Sequence, residues 1–377
     1  MTWTNGAFWI AAQSGILTYG EAVCGVSKTA QGASAARYLG VDFIKIKLDG
    51  KSPDDFEIPS LVEIQLNGEK LPAIRSVLDE VLLKARHQPS LLMFDELPQA
   101  SHQVLGYVQE DWFNQIPEGS MAIATGNPLD RSTSGQPLPQ AVVNRACILK
   151  WEFDNDQWLE GMGNCFQYPE PSFPILPDNW LQHFCPKWGV LIRQFMETRP
   201  DLMDWDDQAP DGDQVAANDG IVRPYGSPRS WENFAKAAGA AESVGAGKAI
   251  FSKLARGIVG PVGEEFLVWL VQQNLPDPKA ILANPRSLVL PKRFDLARAI
   301  IRGVLGAVKA DGTPQMWESG LDVLEVIWPQ SREVAISAEK AFWMCKPFDY
   351  TPNPRVGTWD EIVEAANARS KSVVAGQ

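Results

Sequence analysis

Asp95 and Glu96 stand side by side directly after the apolar run Leu91-Leu92-Met93-Phe94. A short apolar run that ends abruptly in charge reads as a strand buried on both faces, with its polar end at the rim of a sheet. In open α/β sheets ligands bind outside the carboxyl ends of the strands, where these two carboxylates would sit. The same residues also suit a buried strand followed by a solvated acidic turn, so the choice rests on signals to either side. Upstream, Ile16-Leu17-Thr18-Tyr19 reads as a short strand. Gly20-Glu21-Ala22-Val23-Cys24-Gly25-Val26-Ser27-Lys28-Thr29 follows as a loop opening an alanine-rich helix. That is the layout of a phosphate-binding loop. Backbone N–H groups and the helix N-terminus cradle phosphates, a lysine meets the β- and γ-phosphates, and a threonine hydroxyl holds Mg²⁺. The strict spacing G-x-x-x-x-G-K-[ST] is broken twice, by Ala22 at the first glycine and by Ser27 before Lys28. Glycine at the second of these places permits unusual backbone angles and close phosphate approach, so Ser27 is a real departure.

Downstream, Met121-Ala122-Ile123-Ala124-Thr125 reads as another buried strand, ending in Gly126-Asn127-Pro128. Asn127 could orient a water there, or simply form a turn. Leu138 to Arg145 reads as a short helical segment before a strand from Cys147 to Trp151. An arginine at such a helix end ordinarily complements the helix dipole.

The elements that must position these groups follow from periodicity. Phe43 to Lys47 alternates apolar and basic residues like a half-buried strand, and Ser52-Pro53-Asp54-Asp55 is a turn. Val62, Ile64 and Leu66 alternate up to Asn67-Gly68, a strong hairpin signal. Leu71, Ile74, Val77, Leu78, Val81 and Leu82 form a helical stripe, which predicts a helix over Leu71 to His87. A further helix is expected from about Pro98 to Phe113. Met1 to Gly15 shows no clear period. Tyr168 to Pro177 is proline-rich, and Asn179 to Met196 reads as helical. Asp201, Asp204, Asp206, Asp207, Asp211 and Asp213 cluster around Pro210 and Gly212 without the spacing of a calcium loop, so a solvated loop is expected. Helices are expected at Ser230 to Ala241, Lys248 to Ile258 and Gly263 to Gln273, a series closed by Leu275-Pro276-Asp277-Pro278. Others follow at Phe294 to Val308, Gln315 to Ile327, Arg332 to Cys345 and Thr358 to Ala368, with a frayed tail from Ser370 to Gln377.

Composition narrows the classes. The 377 residues are 45% hydrophobic and 21% charged, a globular balance with length enough for two domains. A formal charge of −12 disfavours sequence-independent binding to nucleic acid, although a local basic stripe would be compatible with it. Cys24, Cys147, Cys165, Cys185 and Cys345 form no Cys-x-x-Cys pair, and with no secretory signal the expectation is reduced thiols in the cytoplasm. No apolar run approaches the roughly 20 residues of a membrane span. His87, His102 and His183 offer neither a zinc motif nor a serine-hydrolase pattern.

Taken in order, the strand, phosphate loop, Asp-Glu strand, Asn strand and helix-Arg of residues 16 to 151 resemble the ATPase core of an AAA+ protein of the MoxR-like branch. Ala22-x-x-Gly25-x-Ser27-Lys28-Thr29 falls at the Walker A loop, Phe94-Asp95-Glu96 at Walker B, Asn127 at sensor 1 and Asn144-Arg145 at the arginine-finger segment. Tyr225-Gly226-Ser227-Pro228-Arg229-Ser230-Trp231 resembles the sensor 2 segment opening a lid helix. The resemblance covers roughly residues 10 to 290. It implies an α/β fold: an αβα P-loop core with a parallel sheet, a small α-helical lid and additional C-terminal helices. The implied divisions are a core at 1–160 with a pore-facing insert hairpin near 60–70, a connecting segment with the acidic loop at 161–222, a lid at 223–290 and a C-terminal extension at 291–377.

The resemblance also implies a chemistry. Ala22, Val23, Cys24, Gly25, Val26, Ser27, Lys28 and Thr29 would bind the phosphates of ATP, with Thr29 and Asp95 holding Mg²⁺. Glu96 would activate the attacking water and Asn127 would position it. Arg145 would reach a neighbouring subunit's site, which requires a homo-oligomeric ring, by family habit a hexamer. Arg229 would touch the γ-phosphate of its own chain. A protein client, or an adaptor with a von Willebrand factor A domain, is implied as partner. The altered loop at Ala22 and Ser27 keeps a second class open: a nucleotide-binding assembly module with little turnover. A nucleic-acid motor fits the acidic charge poorly.

Overall fold

The computed structural model describes residues 5–66, 69–78, 80–109, 116, 118–131, 135–165, 173–205, 209, 223–273, 275–355 and 358–375. By its internal packing the chain divides into two units. One comprises Met1–Leu176, Trp205–Ala237 and Gly247–Gly263; the other comprises Pro177–Asp204, Ala238–Ala246 and Glu264–Gln377.

The first unit is built on five parallel strands: β1 (Leu17–Glu21), β2 (Asp42–Lys47), β5 (Ser90–Asp95), β6 (Met121–Gly126) and β7 (Ala146–Lys150). Their order across the sheet is β2-β5-β6-β1-β7. β5 carries the apolar run, and its side chains alternate between two cores. Leu91 and Met93 pack with Phe8 and Trp9 and with Ala35 and Ala36 of helix α2 (Lys28–Leu39). Leu92 and Phe94 pack on the opposite face with Val104, Leu105, Val142 and Val143. These four apolar side chains of β5 are at most 1% exposed, and each such burial is worth about 1.5–3 kcal/mol. The strand is therefore buried on both faces, as its composition implies.

That topology creates a crevice. From β1 the chain passes beyond β6 and β5 to the edge strand β2, and its connecting helix α2 lies on one face. From β6 it passes β1 to reach β7, and the intervening α5 (Gln140–Val143) packs on the other face. Connections that leave neighbouring strands in opposite directions open a ligand site at the carboxyl ends, here those of β1 and β6.

Helix α1 (Gly6–Gln13) covers the sheet beside α2, and Gly6 through Ala12 are all buried. A helix apolar on every side has no amphipathic period, which is why Met1 to Gly15 gave no periodic signal. The expected hairpin is present: β3 (Glu57–Leu66) and β4 (Glu69–Leu78) pair antiparallel from Glu57↔Leu78 to Leu66↔Glu69. Its tip, Asn67-Gly68, lies outside the described residues. The helix expected from Leu71 is corrected, because Leu71 to Leu78 belongs to β4 and only α3 (Glu80–His87) is helical. Ten cross-strand pairs outweigh a short local period that suits either structure. The helix expected from Pro98 begins later. A 3₁₀ turn at Leu97–Gln99 precedes α4 (His102–Val108), whose N-cap Ser101 accepts from the Val104 N–H. Residues 110 to 115 lie outside the description. Helix α6 (Asn155–Gly163), which the periodicity did not suggest, is capped by Asp154.

The second unit is helical. It contains α7 (Trp180–Thr198), and helices Pro278–Ala283, Phe294–Asp311, Pro314–Ile327, Arg332–Trp343 and Thr358–Ala375 enclose one core around Trp317, Leu324, Phe342 and Trp359. Two expectations are corrected here. Asp277 caps a short helix where the proline-rich motif suggested only an end, and the C-terminal helix runs to Ala375 where a frayed tail was expected from Ser370. Buried Trp359 and Ile362 anchor that helix, and no glycine or proline interrupts it before Gly376. Of the acidic cluster, Asp201 pairs with Arg199. Asp206, Asp207, Pro210, Asp211, Gly212 and Asp213 lie outside the described residues, as do Tyr168 to Ser172. Among the described residues no helix is long and apolar enough to cross a membrane.

Candidate functional site

The loop between β1 and α2 turns on two left-handed residues, Gly25 at φ 84° and Ser27 at φ 57°, ψ 24°. Serine thus takes the conformation for which glycine is ordinarily used, at a cost of about 1–2 kcal/mol. The backbone reversal before Lys28 survives the sequence departure. Lys28 opens α2 and folds back into the loop. Its Nζ donates to Ala22 O at 2.7 Å, to Val23 O at 3.3 Å and to Asn127 Oδ1 at 3.2 Å. Burial pushes its pKa down, while the Glu96 carboxylate pulls it the other way.

Asn127 follows β6 and ties two of the predicted groups together. Its side-chain oxygen accepts from Lys28, and its Nδ2 donates to both Glu96 carboxylate oxygens at 3.3 Å. Gly126 makes this approach possible: a Cβ there would lie 2.4 Å from Pro98 Cδ, well inside contact distance. Glu96 is left-handed, at φ 60°, and also accepts from Gln99 Nε2 at 3.0 Å. Burial raises its pKa, and the neighbouring Asp95 charge raises it further.

Asp95 is held differently. Thr125 Oγ1 donates to its Oδ1 at 2.8 Å, and Lys45 Nζ lies 2.7 Å from its Oδ2. Burial works against its ionisation, but the hydrogen bonds from Lys45 and Thr125 hold its pKa below the ordinary carboxylate value. The two adjacent carboxylates are therefore driven apart, one kept ionised and the other moved toward the range of a general base. Lys45 Nζ also donates to Thr29 Oγ1 at 3.3 Å, so Thr29 and Asp95 converge on one cation. Their hard oxygens suit Mg²⁺, which is commonly bound by one or two protein oxygens together with substrate phosphates and water. Among the described residues no group of three or more His, Cys, Asp or Glu could hold a metal unaided.

Lys28, Thr29, Asp95, Glu96 and Asn127 are thus brought to one place. Arg145 and Arg229 are near enough for the charge of one to bear on the other. Arg145 Nη1 donates to Ala141 O at 2.7 Å, and burial together with the like charge of Arg229 lowers its pKa. Ser227 Oγ donates to Asn144 Oδ1, and Asn233 Nδ2 donates to Arg145 O at 3.4 Å. These contacts dock the start of helix Pro228–Ser243 on the end of α5. The sequence missed Lys45, Thr125 and Gln99. Lys45 was visible as a basic residue in an alternating strand, but its role depends on the β2–β5 register, which sets Lys45 opposite Met93 and Lys47 opposite Asp95.

A cavity of 950 Å³ borders the loop, lined by Ala22, Val23 and Val26 on one side and by Trp151, Phe153 and Asp154 among others. Another of 610 Å³ is lined in part by Phe8, Tyr19, Asn127, Ile148 and Gly257. With the loop, the crevice and the sheet order established, the fold class is plain. It is α/β, with a P-loop core of the AAA+ type and further helices toward the C-terminus.

No protein-family model matches this chain, and no curated protein sequence does. Among solved structures, a Cytophaga hutchinsonii protein described as a "putative ATPase" is similar at 16% identity, over 68% of this chain and 82% of that one, with a TM-score of 0.43. That likeness is too loose to bear on function.

Proposed function

We propose that this chain is a MoxR-like AAA+ ATPase, a homo-oligomeric ring, by the family's habit a hexamer, that hydrolyses ATP to remodel or activate a protein partner in the cytoplasm. The observation that carries the reading is the Lys28–Asn127–Glu96 network set beside the Thr29–Asp95 pair at the carboxyl ends of β1, β5 and β6. Loop N–H groups and Lys28 bind the β- and γ-phosphates. Bound at Thr29 and Asp95, Mg²⁺ supplies positive charge against the phosphate oxygens. Glu96, its pKa raised, takes the proton of the attacking water, and Asn127 fixes the carboxylate and the water. A von Willebrand factor A domain on the partner is the adaptor chemistry the resemblance suggests.

Arg145 reaches a neighbouring subunit's phosphates, and Arg229 touches the γ-phosphate bound by its own chain. The test is complementation. Lys28→Ala and Arg145→Ala copies should each be inactive alone, and mixed rings should recover activity, because a Lys28→Ala copy still lends its arginine to an intact loop. Mixed rings that stay inactive, or an Arg145→Ala protein that hydrolyses ATP at the normal rate, would sink the intersubunit reading. A nucleotide-binding module with little turnover remains the rival. It is favoured by a Glu96 held by both Asn127 and Gln99, and ATP binding without turnover under any partner condition would select it.

A further inference from the structure

The site contains a cation that neither the spacing of its motifs nor the proposed mechanism requires. Lys45 extends from the edge strand β2 and places its ammonium between the Thr29 hydroxyl, at 3.3 Å, and the Asp95 carboxylate, at 2.7 Å. These are the two side chains that would hold the metal. The Lys45 side chain remains 38% exposed, so it has room to leave. An ammonium carries one charge on a flexible stem of four carbons, and it is well suited to hold a position temporarily.

We infer that Lys45 is a tethered counter-cation at the metal position: it stands in for the divalent ion when nucleotide binds without metal, and it must be displaced when metal arrives. This rests on the ATPase reading above and adds to it a built-in competition. Two consequences follow from the geometry. Without metal, the Lys45 ammonium offsets the negative charge of Asp95 and of an incoming triphosphate, which would otherwise repel each other. With metal, the ammonium has to be moved off Asp95, so part of the metal's binding free energy goes into breaking that ion pair. Both consequences shrink the factor by which Mg²⁺ improves nucleotide affinity. That factor is a coupling between two ligands and is reciprocal between them.

The experiment measures the dissociation constant of a fluorescent non-hydrolysable ATP analogue, in EDTA and in saturating Mg²⁺. The proteins are wild type, Lys45→Met and Lys47→Met, with Lys45→Gln as a second neutral variant and thermal unfolding as the check on folding. Lys47 is the matched control. It lies on the same strand and its loss changes the net charge equally, but its ammonium pairs with Asp49 at 3.2 Å. Mg²⁺ should improve affinity about tenfold more in the Lys45 variants than in wild type, chiefly through weaker binding in EDTA, and Lys47→Met should match wild type. An unchanged ratio in the Lys45 variants overturns the inference and leaves the ATPase reading standing. An equal shift in Lys47→Met also overturns it, by reducing the effect to general electrostatics. A wild type that binds no nucleotide in either condition removes both.

Discussion

Lys45 and Arg355 are both cations set against partly buried carboxylates, one in each unit, and they are built for opposite purposes. Arg355 spends its whole guanidinium fork. Nη2 lies 2.6 Å from Glu318 Oε2 and 3.1 Å from the Glu318 carbonyl oxygen, while Nη1 lies 2.8 Å from Asp322 and 2.9 Å from Glu325. Those three acidic residues fall at i, i+4 and i+7 on helix Pro314–Ile327, one face of the helix. Glu318 is further held by the Tyr350 hydroxyl and the Asn353 N–H, each at 3.0 Å. Lys45 by contrast offers a point charge to one carboxylate and one hydroxyl, and its side chain is about three times as exposed, 38% against 13%. A saturated fork cannot easily exchange partners, whereas a single exposed ammonium can. The first pattern pins a loop to a helix; the second leaves a site able to admit something else.

The largest test of this contrast is removal of each cation. Arg355→Ala leaves Glu318, only 12% exposed in the intact protein, and its neighbouring acids without their cation, and breaking such a pair costs about 3–5 kcal/mol. Lys45→Ala should cost about 1 kcal/mol or less, the range of exposed pairs, because Thr125 still serves Asp95. Urea unfolding monitored for each unit separately measures both. Equal losses would erase the distinction between staple and exchangeable cation.

Acid should sharpen it next. Burial works to raise the Glu318 pKa, but Arg355, the Asn353 N–H and the Tyr350 hydroxyl together hold it below the ordinary glutamate value. A depressed carboxylate pKa contributes stability that is complete above the unfolded value and lost as pH falls through the folded one. The stability gap between wild type and Arg355→Ala should therefore be constant above about pH 5 and narrow below 4.5. A gap that widens in acid would mean that Glu318 is not the group that counts.

How far the sequence foretold these two regions differs, and for a physical reason. β5 and β6 were legible because strands buried on both faces in a parallel sheet are continuously apolar and end sharply. Asp95, Glu96 and Asn127 were placed by the same endings. The helical unit was legible from its amphipathic stripes. Interactions that depend on which distant segments come together were not legible. Lys45 reaches Asp95 only through strand register, and β4 overrode a helical stripe by pairing with β3. Helix α1 was hidden because it is buried all round. Arg355 sits in a loop with no pattern of its own, and only folding sets it against Glu318.

The smallest expected effect concerns strain, and it separates the two regions again. Non-glycine residues at positive φ include Asn5, Asn179 and Asp349, side chains that tolerate the left-handed region, and also Cys165, Ser27 and Glu96, which gain nothing there. Ser27 and Glu96 flank the site, so two of the costlier positions lie where the phosphates and the attacking water would meet, a recurrent feature of functional sites. Ser27→Gly removes about 1–2 kcal/mol of steric cost but gives back about 0.5–1 kcal/mol through the freer unfolded chain. The first unit should therefore gain somewhat under 1 kcal/mol or so, read as a slightly higher urea midpoint with an unchanged slope. Nucleotide affinity should stay within about twofold, because serine already holds the loop in the glycine conformation. If Ser27→Gly instead raises turnover many-fold while leaving stability unchanged, the serine acts on the chemistry, and the slow-cycling module becomes the better reading of the natural protein.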